Sequence, residues 1–206
     1  MPVPELIYCD DSLLVVNKPA GLLAVPGRGA DKQDCLSARL QNKFPDALVV
    51  HRLDMATSGL MVFACGAEMQ RRLSQMFRER EVEKRYVAVV AGKVDPSAGE
   101  LNLPIVADWP NRPLRKIDFE LGKPSLTRYR LLAHDADTDT SRLELEPVTG
   151  RTHQLRVHMT AFGHPILGDT LYGGRTAERL LLHASMLNFT HPLSGELLTL
   201  VSAAPF

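Results

Sequence analysis

A polar stretch, residues 51–59 (HRLDMATSG), lies between two apolar runs, residues 47–50 and 60–64. Short apolar runs bounded by turn residues are typical of buried strands. In an extended segment, residues two apart point to the same side, so Arg52 and Asp54 are predicted to share one face. Thr-Ser-Gly at 57–59 is predicted to form the turn that returns the chain to the core. The pattern indicates either a site with a cation beside a carboxylate or a structural ion pair.

Composition places the chain among ordinary globular proteins. It has 206 residues, of which 45% are hydrophobic and 23% charged, enough for one substantial core. No apolar run is long enough to span a membrane, and the N-terminus shows no signal-peptide pattern. Three scattered cysteines fit a reducing cytosol better than a disulfide framework. We expect a cytoplasmic protein with one domain, residues 1–206.

The charges balance, with 24 basic and 24 acidic residues, which disfavours a non-specific nucleic-acid binder. Their placement along the sequence is uneven, however. Basic residues cluster at 71–85 and again at 112–130, while acidic residues gather at 135–146. A local basic surface can still bind RNA, although solvated faces explain each cluster equally well.

The remaining pattern predicts an α+β protein. Asp34 is a candidate N-cap for a helix carrying Leu36, Leu40 and Phe44 on one side. A second helix is predicted at 67–80, and a third opens near residue 150 and stops at Gly163. Proline and glycine interrupt residues 93–124, which we interpret as short strands and an ordered excursion. Further strands are predicted at 6–9, 13–17, 84–92, 127–132 and 142–146, with a closing hairpin at 181–201.

Four segments together resemble one enzyme family. The stretch HRLDMATSG matches HRLDxxTSG, the active-site motif of the RluA family of pseudouridine synthases, at every specified position. Asn-Lys-Pro-x-Gly-Leu from residue 17, Lys-x-Tyr-x-Ala from residue 84 and Gly-Arg-Thr-His-Gln-Leu-Arg from residue 150 are similar to other motifs of that family. The resemblance covers the chain from about Asn17 to His183.

The resemblance implies a fold and an activity. The fold is a mixed, largely antiparallel central sheet flanked by helices and loops, with an RNA-binding cleft. The activity is the conversion of uridine in RNA into pseudouridine. The S4 RNA-binding domain that often precedes this fold is expected to be absent, because few residues precede Asn17.

The resemblance also implies roles for individual residues. Asp54 takes the position of the catalytic aspartate, and Arg156 that of the arginine that pairs with it. Tyr86 takes the position of the active-site tyrosine, which stacks on uracil or relays a proton. Arg52 matches the arginine thought to fill the space of the flipped nucleotide. Without the resemblance, Tyr86 is better interpreted as a core residue, and Arg156 as a phosphate contact or a surface charge.

The substrate prediction depends on residues 93–125. Asp-Trp-Pro-Asn-Arg-Pro at 108–113 resembles a segment of the subgroup that modifies stem-loops of both 23S rRNA and the tRNA anticodon arm. With no S4 domain expected, this excursion is predicted to grip the RNA, with Arg112, Arg115 and Lys116 on phosphates. No obligate protein partner is implied.

The chemistry needs neither a redox cofactor nor an energy source, because the atoms of uridine are only rearranged. The chain has no glycine-rich phosphate loop, HExxH or CxxC pattern, and its histidines lack metal-ligand spacing, so we expect no cofactor and no metal. A carboxylate, with a reference pKa of about 3.9, is already ionised at neutral pH. Two alternatives from other classes are a non-catalytic RNA-binding or ribosome-assembly factor with this fold and a carboxylate-based nucleosidase.

Overall fold

The computed structural model describes residues 4–206, and contacts divide the chain into two compact units. The first unit consists of the chain up to Glu83 together with Ala184–Pro205, and the second of Lys84–His183 with Phe206. The elements, in chain order, are β1 (Glu5–Cys9), β2 (Leu13–Lys18), a short 3-10 helix (Ala30–Lys32), α1 (Leu36–Gln41), β3 (Ala47–Val49), β4 (Ser58–Cys65), α2 (Ala67–Glu79), β5 (Glu83–Ala91), β6 (Ala98–Asn102), β7 (Ile105–Ala107), β8 (Arg115–Ile117), β9 (Leu126–Asp135), β10 (Thr140–Pro147), α3 (Gln154–Ala161), β11 (Leu182–Thr190) and β12 (Leu197–Val201).

The sheet of the first unit is covered on both faces. Its strands follow the order β1-β2-β4-β11, with β3 paired to β4 and β12 to β11. Alternate residues of β2 enter different cores, Leu13 and Val15 on the side of α2, Leu14 and Val16 on the side of α1. A strand buried on both faces reads as a continuous apolar run, which is why β2 and β4 show little alternation in the sequence.

The second unit contains an antiparallel sheet with the order β5-β10-β9-β6. Along β10 the burial alternates, with Leu143 and Leu145 fully buried and Glu144 and Glu146 half-exposed. Helix α3 is buried from Gln154 to Met159. Strands β7 and β8 form a separate hairpin, hereafter the β7–β8 hairpin, which spans 105–117. The predicted α+β class with mostly antiparallel pairing is confirmed.

Two local predictions are wrong. The residue before α1 is Cys35, not Asp34. The Asp34 carboxylate instead accepts a hydrogen bond from Arg39 Nε at 2.7 Å, so an ion pair replaces the predicted N-cap. The helix ends at Gln41, before Phe44. In the polar stretch, the turn lies at residues 55–56, and Ser58 and Gly59 already belong to β4.

The basic clusters of the sequence are partly neutralised by folding. On the second sheet, Glu100, Arg128, Glu146, Arg85, Glu144 and Arg130 form a continuous chain of ion pairs with N–O distances of 2.7–3.5 Å. Strand pairing brings together residues that the sequence places in separate acidic and basic runs. Both arginines of the second cluster that lie on β9, Arg128 and Arg130, are therefore not available as a uniform basic surface.

Candidate active site

The polar stretch forms a loop between β3 and β4 in the first unit. Residues 51–54 belong to no strand, and the placing of Arg52 and Asp54 on one face stays a prediction. Arg52 is exposed, whereas Asp54 is half-buried and its carbonyl accepts the Thr57 N–H at 3.1 Å. The loop therefore turns directly after Asp54 and enters β4.

His51 anchors the start of this loop. Its Nε2 accepts the backbone N–H of Val62 at 3.0 Å, so this nitrogen carries no proton while that bond is made. The ring stacks on Phe77 of α2, with centroids 4.3 Å apart. At the other end of the motif, Gly59 has φ +114°, and a Cβ there would lie 2.3 Å from the Ala184 carbonyl oxygen. The first and last residues of the motif thus hold the loop between β4, α2 and β11.

Lys18 fixes the residue that follows Asp54. The side chain is fully buried, and Nζ donates to the carbonyl oxygens of Pro19, Leu22 and Met55 at 2.9, 2.8 and 3.1 Å. A buried ammonium is tolerated only where its donors are satisfied, and here three carbonyls surround it. The Asn-Lys-Pro turn is therefore more than a turn, because its lysine holds the backbone of the Asp54 loop.

In the second unit, Arg156 projects from α3 and forms a buried ion pair with Asp169. Nε and Nη2 donate to Oδ2 and Oδ1, both at 2.7 Å, and the two residues are 4% and 1% exposed. This two-point contact fixes the plane of the guanidinium. Arg156 is thus neither a surface charge nor a flexible phosphate contact.

The loop that presents Asp169 is tightly constrained. Oδ1 of Asp169 also accepts the N–H groups of Leu171 and Tyr172 at 3.0 and 3.2 Å. Gly168 precedes it with φ +74°, and a Cβ at that position would lie 1.9 Å from the Arg179 carbonyl oxygen. Backbone donors therefore hold the Asp169 carboxylate in place independently of its ion pair with Arg156.

Tyr172 joins this cluster to the β7–β8 hairpin. Its hydroxyl accepts the Arg115 N–H at 2.9 Å and hydrogen bonds with His153 Nδ1 at 2.7 Å. The Arg156 guanidinium carbon lies 5.2 Å from the centre of the Tyr172 ring. One side chain thus contacts the hairpin, the residue before α3 and Arg156.

The other predicted site residues of the second unit lie on strands and on the hairpin. Tyr86 is half-buried on β5, opposite Leu145 of β10. Arg112 and Lys116 are exposed, and Arg115 is half-buried. Asp54 and Arg52 belong to the first unit, whereas Tyr86, Arg156 and the hairpin residues belong to the second. The pairing of Arg156 with Asp54 stays a prediction.

A second cluster of reactive residue types lies in the first unit, at the turn between β1 and β2. Asp10 accepts bonds from Tyr8, Ser12 and Leu13, which hold the pKa of its carboxyl well below the usual range despite its burial, while this carboxylate raises the pKa of Tyr8 to about 12. His191 Nε2 lies 2.9 Å from Ser12 Oγ and 3.1 Å from Asp10 Oδ2, and its Nδ1 accepts backbone N–H groups. A nucleophilic triad needs serine and aspartate on opposite ring nitrogens, so this cluster stabilises a turn.

Two further observations concern residues 4–206. Among them, no three His, Cys, Asp or Glu side chains are grouped so that they could hold a metal ion. None of the helices there combines the length and apolarity that a membrane span requires.

Residues 12–161 match the family model described as RNA pseudouridylate synthase. The model covers most of the chain, and it includes the Asp54 loop, β5 and all of α3. The chain therefore belongs to the RNA pseudouridylate synthase family, and it is an isomerase that acts on RNA. The predicted class of enzyme is confirmed, which removes the non-catalytic factor and the nucleosidase as accounts of the fold.

Individual relatives narrow the comparison. The chain is 50% identical over 205 residues to the dual-specificity RNA pseudouridine synthase RluA of Escherichia coli strain K12, covering 98% of this chain and 93% of that protein. The protein of the same name from Haemophilus influenzae is 47% identical over 209 residues, covering 100% and 95%. Among solved structures, human RNA pseudouridylate synthase domain containing 1 superposes with a TM-score of 0.82 at 31% identity, covering 98% of this chain and 84% of that one.

Sequence reasoning missed two components of the site. Asp169 and Tyr172 lie in Gly-Asp-Thr-Leu-Tyr-Gly-Gly at 168–174, a segment that was not singled out. The sequence pattern does indicate a constrained turn, because glycines lie on both sides of an acidic residue and an aromatic residue. Its partner Arg156 lies 13 residues away, which no local pattern connects.

Proposed function

We propose that this chain converts uridine to pseudouridine in stem-loops of 23S rRNA and of the tRNA anticodon arm, with Asp54 as the catalytic carboxylate. The observation that supports the substrates most directly is the near full-length similarity to relatives named dual-specificity RNA pseudouridine synthase. Asp54 is favoured because the backbone around it is anchored by His51 and Lys18.

The reaction breaks the N1–C1′ bond of uridine, rotates the uracil and joins C5 to C1′. It calls for a group that meets positive charge at C1′ or otherwise activates the nucleotide, and an ionised carboxylate supplies this without a base. In the proposal, Asp54 is that group. A half-buried carboxylate on an anchored loop costs little reorganisation when the nucleotide arrives.

The other residues take supporting roles. Arg156 pairs with Asp54 and orients it, and Asp169 fixes the plane of the guanidinium for this pairing. Tyr86 stacks on the uracil or relays a proton. Arg52 fills the gap left by the extruded nucleotide, since a stacked uridine cannot reach a half-buried carboxylate. Arg112, Arg115 and Lys116 contact RNA phosphates. The protein works as a single catalytic domain in the cytoplasm, without a cofactor or an obligate protein partner.

The test compares wild type with Asp54→Asn on two isolated RNA stem-loops, one from 23S rRNA and one from a tRNA anticodon arm. Wild type should form pseudouridine in both, read by carbodiimide primer extension. Asp54→Asn keeps the shape and removes the charge, so it should abolish turnover while the Kd for RNA changes little. Asp46→Asn, an exposed aspartate of the same unit, is the matched control and should behave as wild type.

Two results would contradict the proposal. Turnover by Asp54→Asn within tenfold of wild type would remove Asp54 from the chemistry. Modification of only one class of stem-loop, whatever its loop sequence, would remove dual specificity while leaving the catalytic assignment in place.

A further inference from the structure

The tip of the β7–β8 hairpin carries an exposed indole that is stacked against an arginine. Trp109 is 65% exposed, although an indole gains more from burial than almost any other side chain. The guanidinium carbon of Arg112 lies 3.4 Å from the centre of the indole ring, in a stacked cation–π contact. One face of the ring is thus covered by a planar cation, and the exposure leaves the opposite face open.

The hairpin tip that carries this pair is preorganised. Asp108 N–H donates to the Leu114 carbonyl at 3.0 Å, and Asn111 Nδ2 donates to the Asp108 carboxylate at 3.0 Å. The base of the hairpin is bound to Tyr172 through the Arg115 N–H. A rigid aromatic side chain on a fixed turn loses little entropy when it binds a flat partner.

The cations around the indole have few partners of their own. Neither Arg112 nor Arg115 forms an ion pair with another residue among 4–206, and the buried Arg115 Nε has no hydrogen-bond partner there. Lys116 contacts Asp118 only at 3.8 Å. An exposed aromatic face on the same hairpin as two arginines without an ion pair suits a nucleobase with its phosphate, since bases stack on aromatic rings and phosphates accept from arginine.

We propose that Trp109 and Arg112 form a stacking platform for one unpaired base of the RNA substrate. The base lies on the open face of the indole, while Arg112 braces the other face and, with Arg115, donates to the flanking phosphates. This inference rests on the proposed function and deepens it, because it names the residues that select an RNA with an unpaired, splayed base. Proteins usually read RNA sequence through such bases.

The chain offers a direct reporter, because Trp109 is its only tryptophan. Tryptophan-selective excitation therefore reports this one side chain. Titrating wild-type protein with the anticodon stem-loop should quench the emission saturably, since a stacked base quenches the indole. A fully paired duplex of the same length, which has no free base, should quench much less.

Substitutions separate stacking from charge. Trp109→Ala should weaken RNA binding about 5- to 150-fold, the range expected for one base–aromatic contact, and should raise KM far more than it lowers kcat. Trp109→Phe should recover most of the affinity.

Arg112→Lys keeps the charge but not the planar stack, so binding should weaken while its salt dependence is unchanged. Phe119→Ala is the matched control, because Phe119 is an aromatic residue that is 77% exposed and follows the same hairpin. It should change neither the RNA affinity nor its salt dependence.

The outcomes distinguish this inference from the proposed function. Pseudouridine formation in the stem-loops with no quenching and an unchanged Kd for Trp109→Ala would overturn the platform and leave the function standing. Saturable quenching with no pseudouridine in either stem-loop would support the platform and remove the proposed substrates. Equal losses for Trp109→Ala and Trp109→Phe would overturn stacking, because phenylalanine retains an aromatic face.

Discussion

At the scale of the residue, buried cations organise this protein. Lys18 is fully buried among three carbonyl oxygens, and Arg156 is buried against the Asp169 carboxylate. Removing one partner from a buried charged cluster leaves the others without water or a replacement, so the loss far exceeds that of a surface pair. Neither residue is buried for stability alone, because each holds a loop or a side chain of the site.

Lys18→Met is expected to lower the free energy of unfolding by about 1–3 kcal/mol, because it removes the ammonium from three carbonyl groups and leaves the buried Leu22 carbonyl without this donor. It should also reduce turnover, since the Met55 carbonyl next to Asp54 loses the Lys18 bond and keeps only the Gly21 N–H at 2.8 Å. Urea unfolding and single-turnover assays measure the two effects. Lys93→Met, at an exposed lysine, is the control and should change neither. Full stability of Lys18→Met would contradict the anchoring role.

Arg52→Ala tests the gap-filling role of an exposed residue. Turnover should fall more on a stem-loop than on an unstructured oligonucleotide, because only the stem-loop requires extrusion of a stacked base. That cost is a few kcal/mol, which bounds the difference between the two substrates. Single-turnover rates on both RNAs measure it. Equal losses on both would indicate a role toward phosphate or toward Asp54 instead.

At the scale of the element, α3 shows how a helix can be buried over six consecutive residues, Gln154 to Met159, and still carry polar side chains. Gln154 Nε2 donates to the Leu126 carbonyl at 2.9 Å, and His158 lies between Thr127 Oγ1 and the Leu103 carbonyl, both at 2.9 Å. Every second residue from 154 to 158 is thus polar and has partners. The predicted apolar side, with Leu155 and Met159, is confirmed, but the opposite side is buried as well.

His158 makes the stability of this element depend on pH. Burial lowers its pKa below the ordinary histidine value of about 6.5, because the charged form is poorly solvated. The unfolded chain then binds a proton at a higher pH than the native protein does. Stability is therefore full above about pH 6.5 and declines as the pH falls from there toward the lowered native pKa.

His158→Gln should consequently flatten this decline. The slope of unfolding free energy against pH should become smaller by up to one proton, or about 1.4 kcal/mol per pH unit, between pH 6.5 and 5. Urea titrations across pH 5–8 measure the slope, and the difference at pH 8 gives the packing loss alone. Identical slopes for both proteins would show that His158 is not the group responsible.

At the scale of the whole molecule, basic and acidic side chains balance and form pairs, so neither sign of charge is in excess. The net charge is zero, and the ion-pair chain on the second sheet binds three arginines to three glutamates. Each surface pair contributes only about 0–1 kcal/mol, so the larger consequence is for recognition. Arg112 and Arg115 lie outside that chain of pairs, which supports the proposal that they contact RNA phosphates.

The enzyme as a whole is expected to work without a metal ion. The reaction only rearranges uridine, and both ring nitrogens of His158, Nε2 of His51 and Nδ1 of His164 are hydrogen-bonded to protein partners. Activity should survive exhaustive EDTA treatment in a buffer that keeps the RNA folded. Loss restored by zinc alone would contradict this, whereas loss restored by any RNA-folding cation would reflect the substrate.

The amino-acid order alone predicted the family and the fold class, which are confirmed, and the candidate carboxylate Asp54, which stays a prediction. HRLDMATSG is contiguous in the sequence, so the motif can be recognised without any knowledge of tertiary contacts. Apolar periodicity likewise predicted α2 and the closing hairpin, because both depend on near neighbours in the chain. The ends of helices were predicted less accurately, since Asp34 forms an ion pair with Arg39 and does not cap α1.

The tertiary structure decided everything that depends on distant partners. Lys18 reaches the Met55 carbonyl across 37 positions, and Tyr172 reaches the Arg115 N–H across 57. Strand register, not composition, placed Glu144 beside Arg85 and Arg130 and so removed these arginines from the basic surface. Hydrogen bonds and ion pairs act only over a few ångströms, and the fold alone determines which residues come that close.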